Sequence, residues 1–139
     1  MAELENKIFM QRFVEELMNK HNLDVLDEMV AEDFLELDPF PGQGPGREGL
    51  RYAVGVLLTA FPDTHWAVEE QIAEGENVVT RFTMTGTHQG SFMGIPPTGK
   101  SIKVAGVVFD VVRDNQFVES RIMIDNLTLL QQLSVVPSN

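Results

Sequence analysis

The main change in hydrophobic periodicity along the chain lies near residue 62, and this change restricts the possible folds more than any other feature. Before it, apolar residues recur at helical spacing; after it, they alternate with polar residues as in strands. Tight-turn pairs at 75–76 and 114–115 join neighbouring strands as hairpins, which makes those strands antiparallel. Helices followed by a meander of long strands predict an α+β fold in which helices cover one face of a curved sheet.

The predicted elements occupy the chain without a linker or a repeat. Helices are predicted at 4–18, 22–30, 47–61 and 125–133. A short strand is predicted at 33–37, followed by a Pro- and Gly-rich loop at 39–46. The four long strands are predicted at 64–74, 77–88, 100–113 and 116–124. We therefore expect a single domain over residues 1–139: a curved antiparallel sheet and three N-terminal helices that enclose a conical pocket, closed by a short C-terminal helix.

Charge and composition exclude several classes of function. The chain has 21 Asp and Glu against 10 Lys and Arg, a net charge of −11, which repels phosphate backbones and anionic lipid. We expect no nucleic-acid and no membrane partner. The absence of cysteine excludes disulfides and thiolate metal sites, and three widely spaced histidines disfavour a zinc site. The N-terminus lacks the pattern of a signal peptide, so a cytoplasmic location is expected.

Three stretches carry more information than the overall pattern. They are DPFPGQGPGREG at 38–49, GTHQGSFMGIPPTGK at 86–100 and DNLTLLQQL at 125–133. Their order and spacing resemble the SnoaL-like polyketide cyclase family, which has the nuclear-transport-factor-2-like fold. The resemblance implies a pocket for a small hydrophobic, polyketide-derived substrate, ring closure without a metal or organic cofactor, and a homodimer or higher homo-oligomer.

The chain departs from the family pattern at three positions where the resemblance implies polar groups. The acid/base carboxylate of the family's aldol cyclases corresponds to Ile122, a His or Asp on the preceding strand to Val108, and a His or Asn before the Asp-Pro pair to Leu37. Apolar side chains cannot remove a proton from a carbon acid. The resemblance therefore extends to the fold and not to aldol chemistry.

Asp110 is the candidate catalytic group that the residue pattern itself indicates. If the even-numbered residues of strand 100–113 face inward, Asp110 is a carboxyl group in an apolar row, and burial raises its pKa. A carboxylic acid held neutral can donate to an epoxide or carbonyl oxygen. The alternative is a structural Asp110 that pairs with Arg81 or Arg51 or turns to water. The same phase in the next strand places Val118, Ser120, Ile122 and Ile124 inside.

His88 is the second candidate acid, although a polar residue that opens a Gly-rich loop can equally be a turn anchor. Asp125 is expected to be the N-cap of the last helix. Ligand contacts are expected from residues on the predicted inner face and around the pocket mouth: Leu37, Asp38, Tyr52, Trp66, Met84, Val108, Ser120 and Ile122.

Three functions fit these residues. The first is a cofactor-independent cyclase or isomerase that folds its substrate into a reactive conformer, by cycloaddition or epoxide opening rather than aldol closure. The second is a non-catalytic carrier or sensor of a hydrophobic metabolite. The third is a dimerisation module, which requires a pocket filled by its own side chains, Trp66, Met84 and Phe109.

Overall fold

Helices form the N-terminal part of the molecule, as the periodicity predicts. In the computed structural model, which describes residues 2–137, α1 spans Ala2–Phe13 and continues as a π-helical segment, Val14–Asn19. Helix α2 spans Val25–Met29 and α3 spans Gly46–Ala60. Their apolar faces pack onto one side of the sheet, where Leu17, Leu26 and Val54 are buried. Among the described residues, no helix has the length and apolar content that a bilayer span requires.

The sheet has five strands in the order β1-β5-β4-β3-β2. They are β1 (Val30–Glu36), β2 (His65–Glu74), β3 (Asn77–Thr87), β4 (Ser101–Arg113) and β5 (Gln116–Ile124). The predicted antiparallel meander is confirmed for β2 to β5. The short first strand adds to the edge of β5 in the parallel direction, so the complete sheet is mixed.

A β-bulge in β5 changes which residues face the core. Val111 pairs with Glu119, but Val112 pairs with Phe117, so Val118 is the extra residue in the ladder. An unpaired residue shifts the alternation of side chains on its strand. Phe117 therefore faces the core, and the prediction that Val118 faces inward is wrong. Beyond the bulge, Ser120, Ile122 and Ile124 contribute to the inner face as predicted.

Close packing at the centre of the sheet depends on Gly106 of β4. A Cβ at this position would lie 2.4 Å from the Phe82 ring and 2.9 Å from the Met123 carbonyl oxygen. Because Gly106 has no side chain, the Phe82 ring has room to stack on Trp66, with ring centroids 4.2 Å apart. Asn19, at the end of the π-helical segment, fixes the start of β2, because its Oδ1 accepts from the Trp66 N–H at 2.7 Å and its Nδ2 donates to the Trp66 carbonyl at 3.1 Å.

The C-terminal helix α4 (Asn126–Gln132) begins at the N-cap that the sequence predicts. The Asp125 carboxylate accepts from the Thr128 N–H at 3.1 Å and from the Thr128 hydroxyl at 2.6 Å. These bonds lower the pKa of Asp125, which shows that its charged form is the one stabilised. At the other end, Gln132 exchanges two hydrogen bonds with the Lys103 backbone and holds α4 against β4.

Candidate functional site

A cavity of about 580 Å³ lies between the helices and the inner face of the sheet. Its volume is that of a site for a small organic molecule. Most of its wall is apolar and comes from helices α1, α3 and α4, the π-helical segment and the strands: Met10, Phe13, Leu17, Leu57, Trp66, Phe82, Met84, Val108, Ile122 and Leu129. The polar groups of the wall include Glu36, Asp38, Gln43, Thr80, Asp110, Ser120 and Asn126.

The cavity is open, whereas a dimerisation module without a ligand site would have it filled. Trp66 and Met84 lie on its wall, and Phe109, which was expected to help fill it, is on the outer face of the sheet with 43% of its surface exposed. The alternation along β4 explains this, because Val108 and Asp110 take the inner positions on either side of Phe109.

Three polar side chains form a row across the inner face of the sheet. Asp110 on β4 is paired with Ser120 on β5, and Ser120 is paired with Glu36 on β1. Neighbouring strands are about 4.8 Å apart, so the Cα atoms of Glu36 and Asp110 are separated by roughly 10 Å. All three residues line the same cavity. We call them the polar row.

Asp110 is the most deeply buried carboxyl group of the cavity wall. Only 1% of its surface is exposed, and burial raises its pKa well above the ordinary value. The Ser120 hydroxyl acts in the opposite direction, and the negative charge of Glu36 raises the pKa further. Among the described residues, neither carboxyl oxygen has a hydrogen-bond partner of good geometry, so the Ser120 hydroxyl offsets only part of the burial cost.

The structural alternative for Asp110, an ion pair with Arg81 or Arg51, is not formed. The Arg81 Nε lies 2.8 Å from a Glu70 carboxylate oxygen, and the Arg51 Nη2 lies 2.7 Å from Asp27. Within residues 2–137, the cavity wall contains no Lys, Arg or His. Burial therefore favours the uncharged form of Asp110, and no cation among the described residues of the wall favours the charged form.

Glu36 is a second perturbed carboxyl group, and the sequence analysis missed it. Partial burial raises its pKa to about 7, and the negative charge of Asp38 acts in the same direction. The Asp38 N–H, which donates to Glu36 Oε2 at 3.2 Å, acts in the opposite direction. The alternation of side chains along β1 indicates the orientation of Glu36: Phe34 is buried, so Glu36, two residues later, faces the same side of the sheet.

The same alternation along β1 turns Leu37 away from the cavity, contrary to the prediction that it contacts a ligand. Its side chain is 41% exposed and does not line the cavity, while its N–H donates to the Ser120 carbonyl at 2.8 Å. Tyr52 is also wrongly predicted as a ligand contact. It is 50% exposed and its ring lies beside Gly42, because α3 turns Ala53, Val54 and Leu57 toward the cavity instead.

The remaining expected ligand contacts do line the cavity. They are Asp38, Trp66, Met84, Val108, Ser120 and Ile122. Trp66 also has a buried indole N–H with no hydrogen-bond partner among the described residues. A ligand acceptor that reaches this N–H would satisfy it, because a buried unpaired donor is costly.

His88 lies outside the cavity wall, which corrects its prediction as a catalytic group. Its side chain is fully buried and packs on Phe61, with ring centroids 5.5 Å apart. Its Nδ1 accepts from the Thr98 N–H at 3.2 Å, and its backbone bonds to Gly99 and Lys100. These bonds close the base of the Gly-rich loop, which is the turn-anchor role left open by the sequence.

Comparison with known proteins places this geometry in a family context. A family model described as SnoaL-like polyketide cyclase matches residues 8–133. The fold is similar to that of a candidate SnoaL-like polyketide cyclase from Jannaschia sp. CCS1, with a TM-score of 0.88, 28% identity, and coverage of 98% of this chain and 96% of that one.

Two Streptomyces structures extend the comparison. IdmH from Streptomyces antibioticus, a candidate polyketide cyclase, is 31% identical with a TM-score of 0.80, over 93% of this chain and 98% of that one. AclR from Streptomyces galilaeus, a candidate hydroxylase, is 27% identical with a TM-score of 0.86, over 99% of this chain and 85% of that one. A comparison with curated proteins found no significant match.

Proposed function

This chain belongs to the SnoaL-like polyketide cyclase family, and from that premise we propose that it closes a ring in a hydrophobic, polyketide-derived substrate bound in the cavity. The observation that carries the proposal is the deeply buried carboxyl group of Asp110, which has no hydrogen bond of good geometry among the described residues and lies in a mainly apolar wall. No ion pair explains this group, and in its protonated form it can donate a proton to an oxygen of a bound molecule.

The proposed reaction relies on substrate folding more than on aldol chemistry. Ile122 and Val108 pair with each other across β5 and β4 and are apolar, so the positions where the resemblance implies acid/base groups contribute only shape. A rigid apolar wall that holds the reacting atoms together lowers the barrier by pre-organisation. Asp110 then supplies the acid for an epoxide-opening closure, whereas a cycloaddition would use the shape alone. Neither route needs a cofactor.

The second candidate function is a non-catalytic carrier or sensor of a hydrophobic metabolite. The apolar pair Ile122 and Val108 favours it, because a carrier needs an enclosed apolar volume and no proton transfer. The two proposals differ in one measurable respect. A carrier binds its ligand without changing it, while a cyclase forms product faster than buffer does.

Turnover of hydrophobic polyenes and epoxy alcohols, followed by chiral chromatography and mass spectrometry, tests the proposal. Binding is followed by the fluorescence of Trp66, the only tryptophan in the chain. We expect wild-type protein to give a single enantiomer of a cyclic isomer, and Asp110→Asn to lower kcat for the epoxide substrate by about 10²- to 10⁴-fold. Asp33→Asn, an exposed carboxylate on β1, is the control and retains activity. Quenching of Trp66 with no product from any substrate would favour the carrier.

A further inference from the structure

The polar row contains two carboxyl groups and a hydroxyl between them, and this arrangement goes beyond a single acid. We propose that Glu36 and Asp110 act together as the base and the acid of the ring closure, and that the Ser120 hydroxyl returns the proton from Glu36 to Asp110 after each turnover. The inference rests on the proposed function, because it assigns the proton transfers of that same site.

The positions of the three residues support a shared role. Glu36 and Asp110 are both register partners of Ser120, one on each side, and all three line one cavity. A spacing of roughly 10 Å between their Cα atoms leaves room for the reacting atoms of a substrate between the two carboxyl groups. The Ser120 hydroxyl, which can both donate and accept, is the group that lies between them.

The two carboxyl groups differ in environment, which assigns their roles. Asp110 is enclosed, has no hydrogen-bond partner of good geometry for either oxygen among the described residues, and has a pKa that burial raises. Glu36 is only partly buried and is held by the Asp38 N–H at 3.2 Å, a bond that favours its charged form. The enclosed group therefore donates the proton, and the more solvated one accepts it.

The polar row also explains the apolar residue at Ile122. Ile122 lies two residues beyond Ser120 on the same face of β5 and pairs with Val108. Thus the pair of Ile122 and Val108 is apolar, while the neighbouring polar row on the same face holds two carboxyl groups. In this proposal the polar row, and not the position of Ile122, supplies the acid and the base.

The proton transfers balance for an epoxy alcohol. The substrate hydroxyl loses its proton to Glu36, its oxygen forms a C–O bond to one epoxide carbon, and the epoxide C–O bond at that carbon breaks. The released oxygen takes the proton of Asp110. Glu36 is then protonated and Asp110 is ionised, and transfer through Ser120 restores both. The product is an isomer of the substrate, so no oxidant, reductant or co-reactant is consumed.

The test uses an aryl-substituted bishomoallylic epoxy alcohol, which closes to a tetrahydrofuran, and four variants of the full chain. Glu36→Gln is expected to lower kcat by about 10²-fold or more with little change in KM, because the base is lost. The wild-type rate should rise with pH through about 7 as Glu36 ionises, and Glu36→Gln should lose this rising limb. Glu36→Asp should recover part of the rate, and the control Asp33→Asn should behave as wild type.

Ser120→Ala separates a relay from a structural role. If Ser120 returns the proton, the variant should form about one equivalent of product per site at the wild-type rate in a rapid-mixing experiment and then turn over slowly. A uniform slowing of the first and later turnovers, or no change, would overturn the relay. Glu36→Gln with a rate within about threefold of wild type would overturn the assignment of the base.

Infrared difference spectra of the carboxyl groups test the acid–base pair independently of the proposed function. The spectra of wild type, Glu36→Gln and Asp110→Asn, recorded from about pH 3 to pH 9, assign each titration without a substrate. If Glu36 titrates in the ordinary range of exposed carboxyls near 4.3, the acid–base pair is wrong whatever the turnover. If the pair titrates as expected but wild type closes no ring, the proposed function is the part that fails.

Discussion

At the scale of single residues, the burial of Asp110 sets how stability depends on pH. Its pKa in the folded protein is well above that in the unfolded chain, so it contributes its full stability below about pH 3.9 and loses it as pH rises toward the folded pKa. Over that interval, unfolding releases one proton from Asp110. We therefore expect Asp110→Asn, which cannot ionise, to gain stability relative to wild type by about 1.4 kcal/mol per pH unit.

Urea unfolding at several values between about pH 4.5 and pH 6 measures this slope, since contributions from groups that do not interact with Asp110 cancel in the difference. Asp63→Asn is the control. The Thr87 hydroxyl and N–H bond to Asp63 and lower its pKa, so wild type should gain stability over that variant only as pH rises to about 4, and the difference should stay constant between about pH 4.5 and pH 6. A flat difference for Asp110→Asn would mean that Asp110 is ionised in the folded protein.

The candidate site could be predicted in part from single residues. Asp110 was predicted because its even position in a long strand, among apolar neighbours, fixes its side of the sheet. Glu36 was missed because a short strand followed by Asp-Pro has too few residues to show which of its side chains face the core. Leu37, being apolar, was therefore predicted to face the cavity in its place. Its raised pKa comes mainly from its burial in the folded protein, which no spacing within β1 reveals.

At the scale of elements, Gly106 controls how closely β4 approaches the Phe82 ring. The methyl group of Gly106→Ala would lie 2.4 Å from the ring and 2.9 Å from a backbone oxygen, so the ring must move away from Trp66. Overpacking of this kind costs about 1–3 kcal/mol. We expect the variant to lose that much stability in urea and to change the emission of Trp66.

Ala105→Ser, on the exposed side of the same strand, provides the matched control and should alter neither property. If Gly106→Ala were as stable as wild type with unchanged Trp66 emission, the cavity wall at this point would be able to relax. Because Phe82 lines the cavity, a displaced ring should also weaken binding of an aromatic ligand.

The elements themselves followed from the sequence within a few residues, while their irregular features did not. Long alternating runs and two tight turns fix β2 to β5, because hydrophobic period and turn chemistry are local. The parallel pairing of β1 with β5 joins segments about 85 residues apart in sequence, and the bulge at Val118 interrupts the alternation from which the phase of β5 is predicted. The bulge is what places Phe117 in the core and leaves Ser120 in the polar row.

At the scale of the whole molecule, the outer face of the sheet has an apolar row that the helices do not cover. Ile72, Val79 and Phe109 are paired in succession across β2, β3 and β4, and Ile72 and Phe109 are 64% and 43% exposed. A net charge of −11 keeps most of the surface repulsive between copies, and this face also carries Arg81 and Arg121, the latter paired with Phe109.

We expect this face to be the interface of a homodimer, because a contiguous exposed apolar surface rimmed by charge is typical of association sites. Light scattering after size exclusion should give twice the chain mass of 15.6 kDa for wild type. Phe109→Lys should shift the protein toward the monomer, because a buried unpaired ammonium at the interface is costly. Leu127→Lys, at an exposed apolar residue of α4, should remain dimeric. A monomeric wild type, or a dimer that Phe109→Lys leaves intact, would show that copies do not associate through this face.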